Sequence, residues 1–183
     1  MTNKKCILPE KSFKIAKKGY EEIHVPAPEG KPMQAGERLL PIKELPVWAQ
    51  PAFVGMNSLN RVQSKLAKVS LESDENVLLC APTGAGKTNV ALLSMLQVIG
   101  NHLKSTEGDL QVNLDSFKIV YIAPMKALVQ EMVKSFSTRL APYGIIVAEL
   151  TGDSNLTRAQ LSATQVIVTT PEKWDVVTRK NTE

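Results

Sequence analysis

The chain is poor in the residues that mark several protein classes. Its 183 residues include 2 cysteines, 2 histidines and 5% aromatics. Two cysteines, Cys6 and Cys80, make no disulfide framework of the kind that staples small secreted domains. No apolar run approaches the roughly 20 residues that a helix needs to cross a bilayer. The segment from Met1 to Tyr20 is lysine-rich and has no apolar stretch, which is not the pattern of a secretory leader. No internal repeat is present. These absences lead to an expectation of an intracellular protein with reduced thiols and no membrane span. The 43% hydrophobic content is ample for a packed core.

A broad basic surface is missing as well. The net charge of +4 comes from the N-terminus: residues 1–20 hold six lysines and one glutamate, while the other 163 residues hold 16 basic and 17 acidic groups. Nucleic-acid binding by the folded part would therefore rest on a few placed groups and helix N-termini rather than on a positive face. The basic tail reads as solvated chain, with brushing contact to RNA as the alternative.

Proline and glycine punctuate the first 45 residues, with Pro9, Pro26, Pro28, Pro32 and Pro41 beside Gly19, Gly30 and Gly36, and Pro46 just beyond. No helix or strand period persists there, so residues 1–45 read as an extended arm. Ile23-His24-Val25-Pro26 and Leu39-Leu40-Pro41-Ile42 are its candidate docking words. From about Asn57 the pattern becomes periodic. Leu59, Val62, Leu66 and Val69 predict an amphipathic helix. Strands are predicted at Val77–Cys80, Lys118–Ala123, Ile145–Leu150 and Gln165–Thr169. Helices are predicted from Lys87 to about Leu103, from Pro124 to about Leu140, over Leu156–Leu161, and from Pro171 onward. A polar loop, Ser105–Ser116, lies between. Cys80, ending an apolar run, is expected to be a buried core thiol. Alternating strands and helices imply an α/β fold with a mainly parallel sheet.

The most specific signal is Ala81-Pro82-Thr83-Gly84-Ala85-Gly86-Lys87-Thr88. It is a Gly-Lys-Thr phosphate-binding loop between a predicted strand and a predicted helix, with Ala81 where the usual first glycine stands. Such a turn aims backbone N–H groups and a helix N-terminus at one point, where a polyphosphate sits. Lys87 is expected to reach the β- and γ-phosphates of ATP, and the Thr88 hydroxyl to hold Mg²⁺.

Ligands on parallel sheets lie at the carboxyl ends of the strands. Three further segments stand there. Pro124-Met125-Lys126-Ala127-Leu128 is expected to open a helix with proline in its first turn. Thr151-Gly152-Asp153 follows the third predicted strand. Thr170, as N-cap, and Pro171, as first helical residue, are followed by Glu172 and Lys173. Together they read as a track for a phosphate backbone.

These residues resemble the first RecA-like lobe of a superfamily 2 DExH/D-box RNA helicase, and specifically its Ski-like branch with its spliceosomal members. Gln63, in Leu59-Asn60-Arg61-Val62-Gln63-Ser64, is similar to the family's adenine-reading Q motif, and Phe53 resembles the aromatic that stacks near the base. Ala81–Thr88 matches motif I and Pro124–Leu128 motif Ia; Thr151–Asp153 and Thr170–Lys173 resemble the two later RNA-contacting motifs. The resemblance implies that residues 46–183 form an incomplete ATP-binding lobe. Its cofactors would be ATP and Mg²⁺, and its partners RNA and spliceosomal proteins, in the nucleus. It also implies an Asp-Glu-x-His box on a further strand, and no such box occurs in the chain. The expectation is thus a fragment that binds ATP without hydrolysing it, with unpaired backbone and an exposed apolar face where the strand would lie. Two alternatives stay open. Ile145-Ile146-Val147-Ala148-Glu149 imitates a Walker B strand, which would make the chain a small self-sufficient NTPase using Glu149. The arm, residues 1–45, would alternatively make it a non-catalytic interaction module.

Overall fold

A computed structural model describes residues 7–104 and 110–180. The chain divides into two units, one ending at Glu37 and one beginning at Arg38.

The first unit carries an antiparallel hairpin, β1 (Phe13–Lys17) and β2 (Tyr20–His24), with Phe13 opposite His24 and Lys17 opposite Tyr20. This adds a hairpin to the extended arm read over residues 1–45. Alternation is weak there because neither face is buried: Phe13, Tyr20 and Ile23 are all exposed. Local devices make the hairpin instead. Gly19 takes the left-handed turn conformation, the Phe13 and His24 rings stack at 4.6 Å, and Lys14 pairs with Glu21. The second docking word belongs to the other unit. There Leu59 N–H donates to Leu40 O, Ile42 N–H donates to Asn57 O, and Ile42 is buried.

In the second unit a short 3-10 segment, Val47–Phe53, precedes α1 (Arg61–Glu72), α2 (Lys87–Asn101), β3 (Ile119–Ile122), α3 (Lys126–Leu140), β4 (Val147–Leu150), α4 (Arg158–Ala163), β5 (Val166–Thr169) and α5 (Pro171–Lys180). Three strands form a parallel sheet in the order β3-β5-β4. The central strand, Val166-Ile167-Val168-Thr169, is buried throughout, as a strand covered on both faces must be. One face meets α3, where Tyr121 lies edge-on to Phe136 at 5.1 Å. On the other, Val120, Leu150 and Ile167 face Trp174 and Val177 of α5 around a cavity of about 370 Å³.

Two expectations fail here. Val77–Cys80 pairs with no strand; Leu78 is 89% exposed and Cys80 is an exposed thiol rather than a core residue. Apolar sequence favours a strand, but only a hydrogen-bonded neighbour makes one, and among the described residues none lies beside it. Helix α1 is where its periodicity puts it, yet it is rotated. Gln63, Ala67, Ser70 and Leu71 face inward, and Val69 is exposed. The glutamine turns inward because it has work at the phosphate-binding loop.

Candidate nucleotide and nucleic-acid site

The loop before α2 is shaped by two glycines. Gly84 and Gly86 have φ of +84° and +81°, the left-handed region that residues with a Cβ avoid. Gly86 is also the N-cap of α2, so Lys87 and Thr88 occupy its first turn. Space forbids a side chain at Gly86: a Cβ there would lie 2.3 Å from Gln63 Nε2 and 2.8 Å from Asn60 Nδ2.

Those two amides come from the first turn of α1. Asn60 caps α1 by accepting from Gln63 N–H, and Gln63 Oε1 accepts from Asn60 N–H in return, both at 2.9 Å. The same side chains reach across to the loop. Asn60 Nδ2 donates to Ala85 O at 2.9 Å, and Gln63 Nε2 donates to Gly86 O at 3.0 Å. The capping box of one helix thus pins the loop that begins the next. Lys87 Nζ donates to Ala81 O at 2.7 Å and to Pro82 O at 2.9 Å, which sets its ammonium over the loop's mouth. Beside it opens a cleft of about 570 Å³ lined by Thr83, Gly84, Gly86, Lys87, Thr88 and the end of β3 with the start of α3. Among the described residues no carboxylate lines it.

The strand ends are level with one another. Ile122 of β3 and Leu150 of β4 both sit opposite Thr169 of β5. Neighbouring strands are about 4.8 Å apart, so the three segments that follow are spread over roughly 10 Å along one sheet edge. Helix α3 begins at Lys126 with Met125 as N-cap; Pro124 lies one residue before the cap rather than in the first turn. The first-turn N–H groups of Lys126, Ala127 and Leu128 have no partner within the helix and face this edge. At α5 the expectation holds: Pro171 is the first residue, and Thr170 Oγ1 accepts from Lys173 N–H at 3.4 Å.

Charge along the edge is balanced. Lys126 pairs with Asp153 across the top of β5, and Lys173 Nζ donates to Asn155 Oδ1 at 2.7 Å. Gly152, Asp153, Pro171 and Glu172 are exposed, but Thr151 is buried, and its hydroxyl donates to Glu149 Oε1 at 2.7 Å. Thr151 therefore offers no side chain to a ligand.

Two further candidates change standing. Phe53 is 1% exposed and carries the Arg139 guanidinium 5.1 Å from its ring centroid, so no base can stack on it. It is a core aromatic, and apolar burial is what its position in the 3-10 segment serves. Glu149 stands on β4, separated from β3 by all of β5, and its carboxylate is engaged by Thr151. Two inter-strand spacings, about 10 Å, divide it from the strand beside the loop, which removes it as the loop's acid. Sequence reading missed Asn60 and Arg139. The Asn-x-x-Gln spacing of a capping box was the legible signal for Asn60; Arg139, at the far end of α3, has none.

A glycine-shaped phosphate loop at the end of a parallel sheet, with helix starts ranged along the same edge, defines a P-loop nucleotide-binding lobe. The comparisons place it more narrowly. The DEAD/DEAH box helicase model matches residues 60–183, and the chain belongs to that family. It is 64% identical over 183 residues to the U5 small nuclear ribonucleoprotein 200 kDa helicase of Caenorhabditis elegans and 60% identical to that of Homo sapiens, with all of this chain covered in both. It is 62% identical to the pre-mRNA-splicing factor brr2 of Schizosaccharomyces pombe over 98% of its length. The chain spans 8% of the length of each of these relatives. Among solved structures, the DUF1998 helicase MrfA bound to DNA and AMPPNP superposes with a TM-score of 0.56 over 74% of this chain and 18% of that one, at 21% identity. That likeness concerns the RecA-like fold.

Proposed function

We propose that this chain is the ATP- and RNA-binding part of an ATP-dependent RNA helicase that acts in pre-mRNA splicing, where its relatives are named. The single observation that carries the reading is the pinned loop: Gly84 and Gly86 shape it, Asn60 and Gln63 hold it, and Lys87 and Thr88 stand at its mouth. ATP would place its β- and γ-phosphates over the loop N–H groups and Lys87, with Thr88 Oγ1 on the Mg²⁺ that bridges those phosphates. The cation would supply neutralisation of phosphate charge. Gln63, buried and bonded to Asn60 N–H and Gly86 O, would serve the nucleotide through the loop it holds.

RNA would lie along the level strand ends. Free N–H groups of α3, together with Lys126, would take one phosphate, and the start of α5 at Thr170 would take another. Gly152 would let the backbone approach closely. Contacts of this kind position a strand without reading its sequence. Because no carboxylate among the described residues lines the cleft to orient water, the chain by itself is proposed to bind ATP rather than turn it over. Duplex unwinding, the U4/U6 RNA as substrate, spliceosomal protein partners and a nuclear location are proposed for the longer protein on the strength of its relatives.

The test is binding of a fluorescent ATP analogue with Mg²⁺ to the chain. Saturable binding that Lys87→Ala lowers by tenfold or more is expected, with no turnover. Binding insensitive to Lys87→Ala would refute the site, and turnover that Lys87→Ala abolishes would refute the claim that the chain binds ATP without hydrolysing it.

A further inference from the structure

Arg139 lies thirteen residues beyond Lys126, at the end of α3 farthest from the sheet edge. Its half-buried guanidinium ties three segments together. Nε donates to Ala52 O at 2.8 Å, one terminal nitrogen donates to Asn89 Oδ1 at 2.6 Å, and the other lies 4.0 Å from Met56 Sδ. Its plane sits over the Phe53 ring. Asn89 directly follows Lys87-Thr88 in the first turn of α2. Its amide nitrogen Nδ2 points at the same Met56 sulfur at 3.7 Å, and its backbone N–H donates to Gly86 O at 3.1 Å.

Every one of these partners is neutral, and no carboxylate among the described residues pairs with the guanidinium. Burial accordingly lowers its pKa from the ordinary arginine value. Half-burying a cation among neutral groups costs solvation that an apolar side chain would not. An apolar residue, however, holds no carbonyl and no amide. A planar fork with several fixed donors can bond a backbone carbonyl and a side-chain amide at once while stacking on an aromatic, and a lysine cannot.

We propose that Arg139 is a positioning residue for nucleotide binding: through Asn89 it fixes the rotation of the first turn of α2, and so the placement of Lys87 and Thr88. The capping box of α1 holds the loop from its glycine side, and Arg139 holds it from its helix side. The proposal rests on the nucleotide-binding reading above. It adds a residue about 20 Å along α3 from the sheet edge, beyond the part of α3 that lines the cleft.

The test compares the 183-residue chain with Arg139→Met, Asn89→Ala and the double variant in two measurements. Hydrogen exchange of the nucleotide-free protein should rise about tenfold in residues 89–93 for each single variant, with β5 changing by less than about twofold. Mg-ADP affinity, read with a fluorescent analogue, should fall about tenfold for each, and no further in the double variant, because both changes remove one bond. Exchange rising evenly over the chain, or affinity losses that multiply in the double variant, would overturn the proposal and leave Arg139 a packing residue. Should Arg139→Met unfold, Asn89→Ala removes the acceptor while leaving the guanidinium on Phe53, and the same comparison stands. If the parent chain binds no nucleotide, the nucleotide-binding reading fails, and local exchange at residues 89–93 still decides whether Arg139 fixes the turn.

Discussion

Replacing Gly86 by alanine separates two reasons for a glycine in the phosphate loop. The first is backbone conformation. At φ of +81° a Cβ costs about 1–2 kcal/mol. Gly84 has nearly the same φ, +84°, but a Cβ there meets nothing within 4 Å, so Gly84→Ala measures that cost alone. The second reason is Gln63. An alanine Cβ at Gly86 would sit 2.3 Å from Gln63 Nε2, and the amide, 2% exposed, would have to leave. That breaks its bond to Gly86 O and leaves a buried polar group without a partner, at about 1–3 kcal/mol. Gly86→Ala should therefore destabilise the chain by about 1–3 kcal/mol more than Gly84→Ala. Urea unfolding followed by circular dichroism, with slopes checked for equality, reads the difference. In a Gln63→Ala background most of the excess should disappear, leaving only what the 2.8 Å contact with Asn60 Nδ2 costs. Equal costs at the two glycines, or an excess that survives Gln63→Ala undiminished, would refute the claim that Gln63 pins the loop.

Two further outcomes are expected. Tyr143 is buried, its hydroxyl donates to Trp48 O at 2.7 Å, and burial raises its pKa above the ordinary tyrosine value; burial raises that of Tyr121 too. The unfolded tyrosines ionise near pH 10 while the folded ones stay neutral. Their contribution is thus fully present below about pH 10 and is lost as pH rises above it, and Tyr143→Phe should flatten the alkaline fall in urea midpoint. An unchanged slope would contradict the burial argument. At the sheet edge, Lys126→Ala should weaken single-stranded RNA binding equally for unrelated sequences and reduce the salt slope by about 0.7. Asp153→Asn should strengthen binding several-fold by freeing the Lys126 ammonium; fluorescence anisotropy over a salt series reads both, and a weaker Asp153→Asn complex would show that the carboxylate itself serves the RNA.

Which parts were legible follows from the range of the forces involved. Helices α1, α2, α3 and α5 and strands β3, β4 and β5 appear within about two residues of where periodicity puts them, because repeating apolar residues and N-cap chemistry are local signals. The Gly-Lys-Thr loop is legible because left-handed turns require glycine and phosphates require N–H groups and a lysine. The parallel strand ends follow from βαβ alternation. Val77–Cys80 misleads for the converse reason: apolar composition reports a wish for burial, and pairing depends on what lies beside it. Phe53 misleads similarly, since an aromatic near a motif looks the same whether it faces a ligand or Arg139.

The sequence by itself determined the phosphate-binding loop and the order of the helices and strands from α1 onward, Val77–Cys80 apart, since each is set by residues close together along the chain. Tertiary structure alone decided which groups hold the loop. Asn60 and Gln63 reach Ala85 and Gly86 over more than twenty residues, and Arg139 reaches Asn89 over fifty. Packing brings those partners together, and no local pattern records it. It also decided that Glu149, two strands from the loop, is not its acid, because strand order is a property of the sheet rather than of any strand in it.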